Sequence, residues 1–195
     1  MNDNKKKNNF EHQIRKRFED SSKIILKSQN LTSKINNTIN MILKSLENDG
    51  KIIIFGNGGS AADAQHMSAE FIGRYLLERK SIPSIALTTD TSILTSIGND
   101  YQFEDVFSRQ CEALVDKNDI IIAISTSGNS TNIINGVKTC KKKGCKVIAL
   151  TGSNGGKLKN LCEIMLNIPS KETPRIQEGH RTIIHIICEF VEREI

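Results

Sequence analysis

The sequence predicts an α/β protein with a five-stranded parallel sheet flanked by helices. Three observations carry this. Five short apolar runs rich in Ile and Val occur at 51–55, 84–88, 119–125, 146–151 and 163–168. Helical spacing fills most of the intervals between them, and near-continuous apolar strands alternating with helices imply a sheet covered on both faces. Three turns dense in glycine and hydroxyls also follow strand-like runs, which is where open parallel sheets bind ligands.

In chain order, the first fifty residues read as two helices. Phe10, Ile14 and Phe18 recur every four residues, and Leu31, Ile35, Ile39, Ile42 and Leu46 keep helical spacing up to a stop at Gly50. Their apolar stripes need cover, and a partner subunit is one candidate. After the first strand-like run comes Gly56-Asn57-Gly58-Gly59-Ser60, opening a helix. Phe103, Val106, Phe107, Cys111 and Leu114 mark a later helix, and Ile133, Ile134, Val137 and Cys140 another. The second turn is Ser125-Thr126-Ser127-Gly128-Asn129-Ser130, and the third is Thr151-Gly152-Ser153-Asn154-Gly155-Gly156, each ahead of a potentially helical segment. A final helix of about twenty residues from Arg175 is expected to turn Ile183, Ile184, Ile187, Phe190 and Val191 inward.

At 195 residues, one domain is expected: a flexible basic segment over 1–9, helices over about 10–49 and an α/β core over about 50–195. The net charge of +5 is modest and owes part of its size to Lys5-Lys6-Lys7, which reads as a solvated terminus rather than a nucleic-acid arm. Two Tyr, seven Phe and no Trp leave little for base stacking. Five scattered cysteines without a C-x-x-C pair read as packing residues of a reduced, cytoplasmic protein. Residues 1–9 carry no apolar side chain but Met1, unlike a secretion signal, and no apolar run is long enough to span a bilayer.

A strand, a Gly/Ser turn and a helix N-terminus form an anion pocket, because free N–H groups and the helix dipole face the bound charge. Hydroxyls at 125, 126, 127 and 130 suit a phosphate held without cations. His66 and Glu70 are four apart on the helix after the first turn and share a face, either as a metal-binding pair or as a solvent-exposed one. On the last helix, His180 lies about 60° behind Gln177 and His185 about 80° ahead of it. Either can share a site with Gln177, but not both comfortably. As plain structural residues, His185 would be a satisfied core histidine and His180 a surface one.

A rival comes from Gly56–Ala61, which fits a loose G-x-G-x-x-A dinucleotide fingerprint with Asp90 after the next strand as the ribose acid. That reading leaves the Ser125–Ser130 loop and the polar helices without a task. The third turn matches a nucleotide phosphate loop only superficially, since Leu158 stands where a Mg²⁺-binding hydroxyl belongs.

Joined to Asp63, His66 and Glu70, then Gly73-Arg74-Tyr75, Gly98-Asn99-Asp100, Ser125–Ser130 and Arg175-Ile176-Gln177-Glu178, the first turn gives an ordered set that resembles the phosphoheptose isomerases of the SIS (sugar isomerase) domain family. The resemblance covers about residue 10 to the end. It implies a homotetramer with active sites at subunit interfaces. It also implies conversion of sedoheptulose 7-phosphate to D-glycero-D-manno-heptose 7-phosphate, for activated heptose in lipopolysaccharide, capsule or other surface glycans. By the same resemblance, His66, Glu70, Gln177 and His185 match zinc ligands, one ion per subunit, and Glu70 and His185 match the acid/base pair. Asn57, Gly58, Gly59, Asn99, Asp100, Ser125, Thr126, Ser127, Ser130, Glu70 and Gln177 match substrate contacts, with Ser60 beside them.

One departure is Pro174, where many members carry Asp before the Arg-Ile-Gln-Glu run, with Glu172 as the nearest substitute. A second function class is a non-catalytic SIS module that senses sugar phosphates or binds a protein, such as the bacterial replication initiator. The His66/Glu70/Gln177/His185 set argues for the enzyme, since a binding module does not need it.

Overall fold

The structure is a computed structural model that describes residues 9–195. The flexible tail expected over residues 1–9 therefore lies, apart from Asn9, outside the described residues. The strands are β1 (Ile52–Gly56), β2 (Ser84–Ala86), β3 (Ile120–Ser125), β4 (Lys146–Thr151) and β5 (Ile164–Asn167). All pairs are parallel, in the order β2-β1-β3-β4-β5. The helices are α1 (Glu11–Lys27), α2 (Thr32–Glu47), α3 (Gly59–Ile72), α4 (Thr91–Asp100), α5 (Ser108–Leu114), α6 (Thr131–Lys142) and α7 (Thr173–Glu192).

Alternate strand residues feed two cores. Ile52, Ile54, Ile122 and Leu150 pack with α2, α3 and α7 on one face. Ile53, Phe55, Ile121 and Ala123 pack with α4, α5 and α6 on the other. The chain therefore leaves β1 and β3 toward opposite faces, and a crevice opens beyond their carboxyl ends.

The two N-terminal helices behave differently. α2 buries Ile35, Ile39 and Ile42 against the core, whereas α1 buries no residue and leaves Phe10, Ile14 and Phe18 exposed. α1 is tied to α7 by polar contacts, Ser21 Oγ donating to Glu178 Oε2 at 2.7 Å and Arg175 to the Arg17 carbonyl at 2.9 Å.

Three sequence expectations are corrected. The third turn leads into a 3-10 turn, Gly156–Asn160, not an α-helix. α7 begins at Thr173, because Pro174 suits the first turn, where no N–H partner is needed. Phe190 faces outward at 44% exposure and lies beneath the Arg193 guanidinium, 4.8 Å from its ring centre. Cys111, Cys140, Cys145 and Cys188 are buried free thiols, as expected, and Cys162 is half-buried. Among the described residues, no helix is long and apolar enough to cross a membrane.

Candidate active site

β1 ends at the crevice in Gly56, and Gly58 takes φ +56° before α3 starts at Gly59. That turn is closed by its own carbonyls: Ser60 N–H donates to the Asn57 carbonyl, and Ala61 and Ala62 N–H donate to that of Gly58. Two turns along, α3 presents His66 and Glu70. His66 Nε2 lies 3.2 Å from Glu70 Oε1 and 3.0 Å from His185 Nε2 on α7. One atom of α3 thus meets donors from its own helix and from a helix more than a hundred residues away. The trio is neither sealed nor flat on the surface, with side chains of His66 and Glu70 34% and 22% exposed. Gln177 stands at the other end of the same helix pair: a Cβ at Gly59 would come 2.4 Å from its Nε2. Of the two α7 histidines, His185 is the one that meets His66.

The two α7 histidines take each other's expected environment. His180 is the fully buried one, its Nε2 3.1 Å from the Thr151 carbonyl at the end of β4. A carbonyl only accepts, so Nε2 carries the proton, and the buried Nδ1 has no partner. Burial, opposed by the Thr151 carbonyl and Asp63, pushes His180 down to about 4. His185 is the half-buried one. Burial first and His66 second hold it below the usual imidazole range against the pull of Glu70, which favours a neutral ring with a free lone pair.

The second turn closes over the carboxyl end of β3. Ser125 Oγ accepts from the Gly128 N–H at 3.1 Å and lies 3.3 Å from Ser130 Oγ. Ser130 occupies the N-cap of α6 without capping it by its side chain; the Ile133 N–H is taken by Asn132 Oδ1 at 2.9 Å, which leaves those of Thr131 and Asn132 for the loop. Thr126 and Ser127 line a cavity of about 170 Å³ with Gly152, Ser153, Ser170 and Ile176. The third turn is a buttress for this cradle. Gly152 donates to the Thr126 carbonyl at 2.9 Å, Leu158 to the Gly128 carbonyl at 3.2 Å, and Lys157 to Asn129 Oδ1 at 3.0 Å.

Other expected residues sit apart from the trio. Asn57 is held by a reciprocal amide pair with Asn132, at 2.9 and 3.0 Å. Buried Ser60 donates its backbone N–H to the Asn57 carbonyl. Asn99 and Asp100 are exposed at the end of α4 and bond each other at 2.9 Å. Glu172, the nearest carboxylate to the Pro174 position, is exposed and lies 4.0 Å from Arg17. Asp90 caps α4 by accepting from the Ile93 N–H at 2.9 Å, a task that occupies the acid the dinucleotide reading needs.

The sequence reading missed three residues at the site's border. Tyr75 lies over His185 with ring centres 5.6 Å apart, and Arg79 and Glu192 form a buried pair behind it. The sequence shows Tyr75 only as part of the Gly73-Arg74-Tyr75 motif, without a role. Arg79 and Glu192 are single charges far apart in sequence, with no local signal of their contact.

This geometry agrees with the comparisons. The SIS domain family model matches residues 17–152. A phosphoheptose isomerase of Sulfurimonas denitrificans is 51% identical over 186 residues, 95% of each chain. One of Aliarcobacter butzleri is 57% identical over 153 residues, 78% of this chain and 81% of the relative. The chain belongs to the phosphoheptose isomerase family of SIS-domain proteins. The structure of a phosphoheptose isomerase from Neisseria gonorrhoeae superposes with a TM-score of 0.90 at 41% identity, covering 95% of this chain and 100% of that one. Beyond the family, a Vibrio vulnificus NanR protein complexed with ManNAc-6P shares the fold alone, at 15% identity.

The donor chemistry also fits the zinc that the family resemblance implies. Ligands about 2.0–2.2 Å from a tetrahedral Zn²⁺ stand roughly 3.3–3.6 Å from one another. The gaps of 3.0 and 3.2 Å around His66 Nε2 fall just short of that range. Among the described residues no group of three or more His, Cys, Asp and Glu forms a ready cage. His66 Nε2 touches both partners, and shifts of a few tenths of an ångström would bring the gaps to ligand spacing.

Proposed function

We propose that this phosphoheptose isomerase interconverts sedoheptulose 7-phosphate and D-glycero-D-manno-heptose 7-phosphate at the crevice between α3, α7 and the Ser125–Ser130 loop. The observation that carries this is the meeting of Glu70 and His185 at one nitrogen of His66, two turns along the helix that starts at the crevice where the hydroxyl-rich anion cradle lies.

The reaction moves a proton between C2 and C1 while the carbonyl changes place. Glu70 takes the carbon proton and returns it to the neighbouring carbon. His185, whose pKa is lowered by burial and by His66, exchanges protons with the substrate oxygens. A positioned acid or base contributes about 10²–10⁴-fold. The Ser125–Ser130 loop and the α6 N-terminus hold the 7-phosphate, and this remote binding energy orients the reacting end. Asn57, Gly58, Gly59 and Gln177 line the path between the cradle and the trio. His66, Glu70, Gln177 and His185 would hold the zinc. Zinc bound there supplies Lewis-acid polarisation of the carbonyl and stabilises charge on the enediolate oxygen.

The bare apolar stripe of α1 and the exposed Asn99-Asp100 pair support an oligomer, with Asn99 and Asp100 completing a neighbouring protomer's site. The homotetramer of the family is the form we propose, in the cytoplasm, at the entry to activated heptose for surface glycans. Incubation with sedoheptulose 7-phosphate and detection of the aldose by NMR tests the activity. Failure to form aldose would refute it.

A further inference from the structure

The segment after α3 is pinned in an unusual way. Glu192, near the end of α7, accepts three successive backbone N–H groups, from Tyr75 at 2.8 Å and from Leu76 and Leu77 at 2.7 Å each. Its second partner is Arg79, whose Nε lies 3.3 Å from Glu192 Oε2. Arg79 in turn donates to the carbonyls of Glu70 at 2.7 Å, Phe71 at 2.8 Å, Lys80 at 2.9 Å and Gly73 at 3.3 Å. Side-chain exposure is 6% for Arg79 and 1% for Glu192.

Burying two charges is costly unless they are paired and their hydrogen bonds are met; here every group but Arg79 Nε has a hydrogen-bond partner, and that nitrogen faces Glu192 as an ion pair. The side chains of Leu76 and Leu77, however, remain exposed, so the network does not serve to bury the segment. What it does fix is Tyr75. The Tyr75 ring lies against His185 at 5.6 Å and 30°, while His66 approaches the same imidazole at 5.1 Å and 47°. His185 is thus bracketed by two rings, and the Tyr75 ring is placed by its backbone N–H bond to the clamp together with packing against the core. Glu192 lies two helical turns beyond His185, about 10 Å along α7, so it touches neither the trio nor the cradle.

We propose that Arg79 and Glu192 are positioning residues that set Tyr75 against His185 and so keep its imidazole turned toward His66 and Glu70. This rests on the isomerase reading above. Loss of the tyrosine ring frees His185 to rotate, and misplacement of a reacting group by about 1 Å can cost up to about 10²-fold.

The test is a double-mutant cycle on the intact protein, with kcat and KM for sedoheptulose 7-phosphate, melting temperature and imidazole NMR. Tyr75→Leu is expected to lower kcat ten- to a hundredfold with KM changed less than about threefold. Tyr75→Phe should recover most of that loss, since the ring and not the hydroxyl does the work. Glu192→Gln should lower kcat comparably, and the double variant should be no worse than the poorer single one, because both act through one ring. With four histidines in the chain, the His185 ring signal is assignable. It should move in Glu192→Gln through the altered ring current of Tyr75, and not move further when that change is added to Tyr75→Leu.

Additive losses, or a Tyr75→Leu variant with wild-type kcat, would overturn the proposal. If Glu192→Gln does not fold, the Tyr75→Leu and Tyr75→Phe pair decides it. Absence of turnover in the wild-type protein would strike the isomerase reading instead, and the NMR shifts would still decide the clamp.

Discussion

Gly59 and Gln177 share a space that only one of them can fill. A Cβ at residue 59 would stand 2.4 Å from Gln177 Nε2 and 3.0 Å from its Cδ. The obstacle is the end of a flexible side chain, and residue 59 sits in the first turn of α3 rather than in a left-handed conformation. Gly59→Ala is therefore expected to fold normally, with a melting temperature within a few degrees of wild type, while displacing the Gln177 amide. Turnover should fall by about tenfold or more, on the scale of misplacing one orienting group. Wild-type kcat/KM in a folded Gly59→Ala protein would remove Gln177 from the site.

Gly128 is the opposite case. It has φ +66°, and a Cβ there would meet the Gly155 carbonyl oxygen at 2.1 Å, a backbone atom that cannot swing aside. Gly128→Ala should cost roughly 2–4 kcal/mol, from left-handed strain plus the clash. It should also weaken inorganic phosphate binding, because the cradle and its buttress would be pushed apart. Urea melts and phosphate titration measure the two effects, and an unchanged urea midpoint would contradict the close approach of the two turns.

The strands were legible because a doubly covered parallel strand is apolar without interruption, and β1, β3 and β4 are buried almost end to end. The phosphate turn was legible from its hydroxyls. The α7 histidines were misread because the apolar residues around His185 were counted without their direction. His180 lies three, four, seven and eleven residues before Ile183, Ile184, Ile187 and Val191, which is the stripe facing the sheet, so the sequence did hold the signal for its burial. Phe190 falls off that stripe. The Asn57–Asn132 amide pair and the Arg79–Glu192 clamp had no such signal. They are single polar residues brought together by crossover connections, and spacing along one element does not report them.

Glu70 and His185 carry the proton transfers in the proposed mechanism. Glu70→Gln and His185→Gln keep side-chain size and polarity near the original, so ligand binding at the distant cradle should persist. The turnover number should fall by about 10²–10⁴-fold in each. Steady-state kinetics with binding of a phosphate ligand separates the two outcomes, and near-wild-type turnover in either variant would reassign its role.

Metal removal tests the donor set independently. Prolonged chelation followed by elemental analysis should give protein with slowed isomerisation, and added Zn²⁺ should restore it. Undiminished turnover in a sample shown to be free of metal would take zinc out of the scheme. Partial loss is also expected for His66→Ala, since His66 Nε2 lies next to both Glu70 and His185.

His180 gives the stability a defined pH dependence. Its pKa is about 4 in the folded protein, pushed down by burial, against the ordinary value of 6.5. Below pH 6.5 the unfolded chain binds a proton that the folded chain refuses, so acid favours unfolding. The contribution is complete above pH 6.5 and is lost progressively as pH falls toward 4, reaching about 3 kcal/mol. Glu192 adds to acid sensitivity in a lower range. Burial raises its pKa, but the Leu76, Tyr75 and Leu77 N–H groups and Arg79 outweigh that and leave it lowered. Comparison with His180→Gln isolates the histidine. The glutamine amide can still donate to the Thr151 carbonyl but does not titrate. Denaturant melts from pH 7 to pH 4 should therefore show a shallower decline in His180→Gln than in the wild type, the wild type losing stability relative to the variant as the pH falls. Parallel curves would mean that His180 is protonated in the folded protein and that its burial is incomplete.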